Sequence, residues 1–308
     1  VTSQNGAWNN AFGVLQNSLA VLAIEENGYS QLFAYQPGAS PFIRLSHGAW
    51  DDIQPALNPA GSQLAFASNR SGWWELYLLD LHTGALSQIT DSPEYDGAPS
   101  WSPDGRWLAY ESYLVENGGL EIFIRPVDGA QEPIQLTDNP GADFDPSWSA
   151  QGRHIAFVST RSGENEIWVA DLDKADQRFT NISRNNHQIE SHPNWSPDGS
   201  QLVWSAIDQS GIHELYVWSS GTSTSITTRP VLVGSGNWPV WSPTGNALLT
   251  LFSTPNQDFI TGYAIPEKTI TLPPIPLDGA VNGLTWGALP NGLNIAATFS
   301  STHRITVE

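Results

Sequence analysis

The sequence predicts an all-β fold in which a unit of four short strands repeats along the chain. Its 308 residues include 27 Gly, 22 Pro and 14 Trp. Short runs of β-branched and aromatic residues alternate with Gly and Pro turn signals, which is typical of strands. No stretch of about 10 to 12 residues combines helical periodicity with helix caps. An internal repeat is the second and stronger observation.

The repeat is a ten-residue cassette that recurs at a nearly constant interval. Its best copies are WSPDGRWLAY from Trp101, WSAQGRHIAF from Trp148, WSPDGSQLVW from Trp195 and WSPTGNALLT from Trp241. Degenerate copies begin at Leu57 and Trp286. The first residues of these copies, which we call the anchors, are separated by 44, 47, 47, 46 and 45 residues. A self-similar period of 20 to 50 residues is typical of repeat architectures.

Each period contains four predicted strands, A to D. Strand A ends at the anchor, and strand B follows a tight turn. Asp104 and Gly105 suit that turn, because Gly tolerates positive φ and Asp caps its own turn. Strand C begins with a polar residue such as Glu75, and strand D ends in Ser or Thr. Four-stranded meanders at this period predict a β-propeller, with twisted sheets packed radially and strand A innermost. We expect the recurring Trp between blades, in the core.

The number of blades depends on the two ends of the chain. With residues 12–15 counted as a weak strand A, the 308 residues correspond to seven units of 44. We therefore favour a single propeller domain of seven blades over residues 1–308, with six blades as the alternative. The last copy, 283–308, has room for strands A, B and C, so a seventh strand D is expected from residues 1–8, closing the ring by pairing the termini. The seven predicted anchors are Leu15, Leu57, Trp101, Trp148, Trp195, Trp241 and Trp286.

The cassette also resembles a known repeat. The segment DGAPSWSPDGRWLAY, from Asp96 to Tyr110, is similar to the WD40-like (PD40) repeat of the TolB propeller family. The likeness extends over residues from about 40 to 300 and implies a propeller, usually of six blades in that family. No counterpart of the amino-terminal α/β domain of TolB is expected, because predicted strands begin by about residue 12.

Composition limits the partners and the chemistry. With 31 acidic and 12 basic residues, the formal charge is −19, which disfavours nucleic acid and anionic membrane surfaces as partners. Cysteine is absent, which excludes thiolate catalysis and cysteine-ligated metals. No apolar run approaches the roughly 18 to 20 residues that span a bilayer. Methionine is absent even at position 1, so we expect that the sequence begins after a removed leader or inside a longer precursor, and that the protein is periplasmic or extracellular.

Acidic residues recur five positions before four successive anchors. We expect this position in the loop between strands D and A, at one mouth of the central channel. Four carboxylates there would form a negative funnel that holds a hard cation such as Ca²⁺, or receives a basic or amide-rich peptide. The alternative is that each acid accepts hydrogen bonds from backbone N–H groups of its own loop. In that case the protein requires no cofactor. The four residues are Asp52, Asp96, Asp143 and Glu190.

The other side of the expected mouth carries no charge. Gly236 and Val281 stand where the acids would be. Asn237, Trp238 and Asn282 are expected to provide stacking and amide hydrogen bonds there.

A short cluster, HQIESH, contains His187, Glu190 and His192. Its spacing lacks the helical geometry of His-Glu-x-x-His metal sites, so metal binding is the less favoured interpretation. His192, directly before Pro193, is instead expected to point into the channel mouth as a pH-sensitive hydrogen-bonding group.

Two further pairs occupy the loops after strand B. Arg70 and Arg161 share one repeat position, which predicts structural salt bridges to nearby carboxylates. Trp73 and Trp74 are adjacent, and neighbouring side chains of a strand face opposite ways. One of them is therefore expected to be exposed, where it can stack on a sugar or anchor a protein partner.

The sequence lacks a Gly-x-Ser-x-Gly elbow, a phosphate-binding loop and a dinucleotide fingerprint. We therefore predict a non-enzymatic, exported binding scaffold that docks a protein, a peptide or another cell-envelope ligand, including carbohydrate, at the channel face. One alternative is a metal-dependent enzyme similar to the polysaccharide lyases built on PD40 propellers. Against it, the seven His are scattered and the acidic chain would repel a uronate polymer. The other alternative is a structural module of a larger surface protein.

Overall fold

The computed structural model describes residues 17–36, 42–115, 118–184, 188–220, 229–265, 267–299 and 304–305. These residues form five four-stranded sheets and one five-stranded sheet, all antiparallel. The first three strands are β1 (Ser18–Glu26), β2 (Tyr29–Tyr35) and β3 (Phe42–Arg44). Blade 1 contains β4 (Asp52–Leu57), β5 (Gln63–Ser68), β6 (Glu75–Asp80) and β7 (Leu86–Gln88). Blade 2 contains β8 (Asp96–Trp101), β9 (Trp107–Leu114), β10 (Gly119–Pro126) and β11 (Ile134–Gln135).

Three more blades follow in the same strand order. Blade 3 contains β12 (Asp143–Trp148), β13 (His154–Ser159), β14 (Glu166–Asp171) and β15 (Phe179–Asn181). Blade 4 contains β16 (Ile189–Trp195), β17 (Gln201–Ile207), β18 (His213–Ser219) and β19 (Val231–Ser235). Blade 5 contains β20 (Asn237–Trp241), β21 (Ala247–Thr254), β22 (Gln257–Ala264) and β23 (Thr269–Leu277). The last described elements are β24 (Val281–Ala288), the short helix α1 (Ile295–Thr298) and β25 (Arg304–Ile305).

The blades form a closed ring with strand A innermost. The innermost strands β4, β8, β12, β16, β20 and β24 each contact the next one in turn, and β24 contacts β4. The predicted all-β propeller of four-stranded antiparallel blades is therefore confirmed.

Blade 6 joins the two ends of the chain. Its innermost strand is β24, which pairs with β1, and the sheet order is β24-β1-β2-β3-β25. The prediction of seven blades is wrong, and the stated alternative of six is correct. The last repeat provides strand A alone, and strands B, C and D come from residues 18–44. After β24 the chain forms α1 and then β25, which pairs with the outer edge of β3 instead of providing strands B and C. Residues 1–8 and 12–15, including Leu15, lie outside the described residues.

The anchor tryptophans occupy the interfaces between blades, as predicted. Trp101 is 6% exposed, and its Nε1 donates a 2.9 Å hydrogen bond to the carbonyl of Ala56 in the preceding blade. Trp241 makes the equivalent bond of 3.1 Å to the carbonyl of Asn194. These two indoles thus bury their apolar surface and satisfy their one donor, which links adjacent blades.

The recurrent Ser or Thr of the predicted strand D lies just after the observed strand and links it to strand C. The hydroxyl of Thr90 accepts a 2.8 Å bond from the N–H of Leu76, and Thr137 accepts the same bond from Ile122. This contact explains why Ser or Thr recurs at the end of strand D. Among the described residues, no helix has the length and apolar character to cross a membrane.

Candidate ligand-binding site in the central channel

The six innermost strands enclose a central cavity of about 550 Å³. All six contribute lining residues, from the middle of strand A to the turn that follows it. Pockets that bind small molecules fall in the same range, about 300 to 1,000 Å³. The hub of the propeller is therefore the candidate site.

A backbone irregularity recurs in the innermost strands. The residue three positions before the anchor has positive φ in every blade, and five of these residues directly precede a Pro. In those five blades the pairing register shifts there by one residue, which is a β-bulge. The six bulge residues are Gln54 (φ 52°), Ala98 (45°), Asp145 (52°), His192 (53°), Trp238 (50°) and Gly283 (143°).

Gly283 is required at its position. A Cβ there would lie 2.5 Å from Cδ of Pro55 in the next blade, and its φ of 143° disfavours other residues. The other five bulge residues line the cavity. Each of five blades thus contributes one bulge residue to the wall of the channel, and these five residues are of five different types.

Side-chain carboxylates and amides link neighbouring bulges. Oε1 of Gln54 accepts a 2.9 Å bond from the N–H of Ala98, and Oδ2 of Asp145 accepts a longer one of 3.4 Å from His192. The side chain of Ala98 cannot accept a hydrogen bond from the next bulge residue, Asp145. Glu111 of β9 accepts that bond instead, at 2.8 Å from the N–H of Asp145. These bonds hold the bulges in a fixed geometry before any ligand arrives.

Two carboxyl groups lie close together at this wall. Burial raises the pKa of Glu111 to about 7, and the neighbouring charge of Asp145 adds to the effect. Burial also raises the pKa of Asp145 to about 6. The hydroxyl of Tyr95 donates a 2.9 Å bond to Oε1 of Glu111, and burial together with that carboxylate raises the pKa of Tyr95. Tyr95 therefore remains a hydrogen-bond donor to the pair.

His192 lies between Asp145 and the uncharged side of the mouth. Its ring centroid is 3.7 Å from that of Trp238, and its Nδ1 is 3.1 Å from Oδ1 of Asn237. Burial lowers the pKa of His192 to about 3. His192 is therefore neutral at physiological pH, and the pH-sensitive groups at this wall are Asp145 and Glu111 instead.

The four carboxylates of the predicted funnel lie inside the blades. They are between 0% and 3% exposed, and none lines the cavity. Each is the first or second residue of an innermost strand and precedes the bulge. Because the bulge inserts an extra residue, the alternation of side chains between the two faces of the strand is interrupted between these acids and the anchors. The expected funnel is therefore not formed by these residues, which are Asp52, Asp96, Asp143 and Glu190.

The two arginines make the predicted salt bridges. Arg70 contacts Asp52 and Arg161 contacts Asp143, each with N and O atoms 2.6 Å apart. Asp96 forms no ion pair within the described part of the chain, and burial raises its pKa to about 6. No group of three or more His, Asp or Glu among the described residues is arranged to hold a metal ion. The predicted calcium therefore has no ligand set in this part of the chain.

The HQIESH residues do not converge. His187 lies outside the described residues. Glu190 is buried in its blade, where its Oε2 accepts a 3.0 Å bond from the N–H of Ile167, while His192 lines the cavity. Burial raises the pKa of Glu190 to about 7.

The remaining predicted residues lie in three places. Asn237 and Trp238 both contact His192, and Trp238 lines the cavity. Asn282 is exposed, and its amide donates a 2.8 Å bond to the hydroxyl of Ser30. On the hairpin of blade 1, one Trp is exposed, as predicted: Trp73 is 60% exposed, while Trp74 packs 6.2 Å from the ring of Tyr95.

Sequence reasoning missed Gln54, Tyr95, Glu111 and Asp145. Gln54 and Asp145 stand directly before the recurrent Pro, so the repeat itself marked their position. A residue before Pro is ordinarily extended, and nothing in the pattern indicated a left-handed bulge. Tyr95 and Glu111 reach the site from outside strand A, where the cassette gives no signal.

Comparisons with known proteins agree with this architecture. A family model described as PD40, TolB beta propeller domain, matches residues 73–258, more than half of the chain. The chain is 25% identical over 200 residues to the uncharacterized peptidase YuxL of Bacillus subtilis, covering 63% of this chain and 28% of that protein. It is 30% identical over 162 residues to a TolB homolog of Chlorobium luteolum, covering 53% and 35% respectively. Its fold is similar to that of TolB from Acinetobacter baumannii, with a TM-score of 0.77, 18% identity, and coverage of 92% and 70% respectively. The chain spans about a third of the length of the curated relatives that it matches.

Proposed function

Because the chain belongs to the PD40 family of TolB β-propeller domains, we propose that it is a non-enzymatic scaffold whose central channel binds a protein or peptide segment. The same proposal places the protein in the cell envelope, exported to the periplasm or beyond. Fold alone does not determine function, so the argument rests on the site.

The cavity wall carries the main support for this proposal. It is lined by five different bulge side chains, which are held by bonds between neighbouring blades. Such preorganisation lowers the entropy lost when a ligand binds. One side of the wall presents the carboxylate of Asp145, and the adjacent side presents the rings of His192 and Trp238, which are in contact at an angle of 31°. Aromatic residues in a concave, partly desolvated site are typical hot spots for binding peptides.

A peptide-display selection on the intact protein tests the proposal. Peptides selected on the wild type should lose at least about tenfold in affinity when His192 and Trp238 are both changed to Ala, equivalent to about 1.4 kcal/mol. The matched control changes Trp73 and His82, which are both exposed and lie outside the cavity lining, to Ala. Melting curves by circular dichroism establish that both variants are folded.

Unchanged affinity in the channel variant would contradict the proposal. Loss of affinity in the control variant alone would move the binding site to the hairpin that carries Trp73. The enzymatic alternative has its own test, in which polygalacturonate is incubated with the protein and divalent metals. We expect no absorbance from unsaturated product.

A further inference from the structure

The hydrogen bonds of Asn237 determine which nitrogen of His192 carries the proton. Oδ1 of Asn237 accepts a 2.9 Å bond from the N–H of Trp238, a contact that the NH₂ group of the amide cannot make. The amide oxygen therefore faces the ring of His192, where Nδ1 lies 3.1 Å away. Since Oδ1 accepts only, Nδ1 of the neutral imidazole must be the donor.

With its proton on Nδ1, His192 presents a lone pair on Nε2. That atom lies 3.7 Å from Oδ2 of Asp145. An ionised carboxylate and an unprotonated nitrogen are both acceptors, so neither satisfies the other. Oδ1 of Asp145 also has no hydrogen-bond partner among the described residues. The two side chains are 15% and 18% exposed at the cavity, so both can be reached from the channel.

Among the described residues, no donor satisfies Nε2 of His192 or Oδ1 of Asp145. The lining residues include no Lys and no Arg, and Asp145 is the one acidic residue among them. A cationic group would satisfy both acceptors and neutralise the carboxylate in a site of low dielectric. A planar guanidinium has five donors in a fixed fork, and it can also stack on an indole such as Trp238.

We propose that the channel binds the cationic side chain of a peptide, an Arg guanidinium or a Lys ammonium, between the carboxylate of Asp145 and Nε2 of His192. This inference rests on the proposed function, because it names the chemistry of the segment that the same channel receives.

The groups facing this position set how binding depends on pH. Glu111 and Tyr95 approach Asp145 from blade 2, and His213 of β18 acts on His192. Burial raises the pKa of Asp145 to about 6, so acid neutralises the carboxylate that attracts the cation. Affinity for the cation is expected to fall as the pH is lowered from 7.5 to 5.

The test uses N-acetyl-L-arginine amide as the probe and N-acetyl-L-citrulline amide as its uncharged isostere. By calorimetry at pH 7.5, the wild type should bind the arginine probe at least about tenfold more tightly. Asp145→Asn should abolish that preference. The matched control is Glu164→Gln, which removes one charge from an exposed residue of the same blade and should leave the preference unchanged. Equal binding of the two probes by the wild type, or full preference retained by Asp145→Asn, would overturn the proposal.

A second measurement on the wild type does not depend on a variant that folds. In ¹⁵N-histidine NMR spectra, His192 should show a protonated Nδ1 and an unprotonated Nε2. The arginine probe should shift the Nε2 resonance, whereas a proton on Nε2 before addition would contradict the proposal. The display selection distinguishes failure of this inference from failure of the proposed function. Peptides without Arg or Lys that still require His192 and Trp238 would support the proposed function and overturn this inference.

Discussion

Blades 1 and 3 differ from blades 2 and 4 at one repeat position. In blades 1 and 3 the buried acid at the start of strand A forms an ion pair, and the contact between Arg161 and Asp143 is 2.6 Å long. In blades 2 and 4 the equivalent acids form no ion pair with an Arg among the described residues. Burial raises the pKa of Asp96 to about 6, although the charge of Arg125 acts against this, and it raises the pKa of Glu190 to about 7.

The source of the difference is the loop after strand B. Blades 1 and 3 carry an Arg-Ser-Gly turn there, and blades 2 and 4 do not. The guanidinium of Arg161 also lies over the rings of Phe157, Trp168 and Phe179, at 4.7 to 5.3 Å. The repeat therefore specifies a buried acid in each of these four blades, but it specifies an Arg that pairs with the acid only in blades 1 and 3. The acids of blades 1 and 3 have a cationic partner, whereas burial raises the pKa of the two acids that form no ion pair.

The largest expected effect comes from removing an arginine. Arg161→Met should lower the free energy of unfolding by about 3 to 5 kcal/mol, because the carboxylate of Asp143 is left buried without its countercharge. Urea unfolding at pH 7.5 measures the change. The control is Arg153→Met, since Arg153 is 63% exposed and its contact with Asp173 lies at the surface. A surface pair contributes at most about 1 kcal/mol. Similar losses in both variants would remove the distinction between the blades.

A smaller effect is expected from the unpaired acid of blade 4. The pKa of Glu190 is about 7 when folded and close to 4.5 when unfolded. Between these values the folded state binds more protons, so this group's contribution to the free energy of unfolding falls as the pH rises. Relative to the wild type, Glu190→Gln should therefore gain on the order of 2 kcal/mol between pH 5 and pH 8.

Comparing variant with wild type at each pH isolates Glu190 from the other titrating groups. The depressed pKa of His192, about 3, acts in the opposite direction below pH 6.5 and cancels in the difference. The equivalent change in blade 3, Asp143→Asn, should be destabilising at pH 8, because Arg161 loses its countercharge. A flat difference for Glu190→Gln would show that this acid is ionised and compensated.

The smallest expected effect is that of calcium. All four acids at the start of strand A are buried, in ion pairs or in hydrogen bonds, and they belong to separate blades. We therefore expect the melting temperature to change by less than about 1 °C when calcium replaces EDTA. Binding to the folded state at 100 times Kd would add about 2.7 kcal/mol and raise the melting temperature by several degrees. Such a shift would restore the cation site that the sequence suggested.

The sequence alone predicted the propeller, because the Trp cassette repeats its spacing and its strand pattern in each blade. It predicted one blade too many, because dividing 308 residues by the period of 44 counts the residues at the two ends of the chain as a separate seventh blade. In the structure, β24 and β1 instead share one blade. A ring closed between distant segments leaves no local signal.

The candidate site was predicted in part. His192, Asn237 and Trp238 were identified, because a His and an indole stood out near the recurrent Pro. Asp145 was missed, because the acid that recurs periodically is Asp143, two residues earlier, and the repeat pattern indicated the periodic acids as the channel residues. Which of two nearby side chains enters the channel depends on the bulge, and bulge geometry is a property of the packed ring.

The most direct test of the channel as the binding site is NMR of histidine-labelled protein titrated with a peptide from the display selection. The resonances of His192, assigned with His192→Gln, should shift on saturation, and those of His82 and His154 should not, since neither lines the cavity. Unchanged His192 resonances in the presence of saturating peptide would contradict the account.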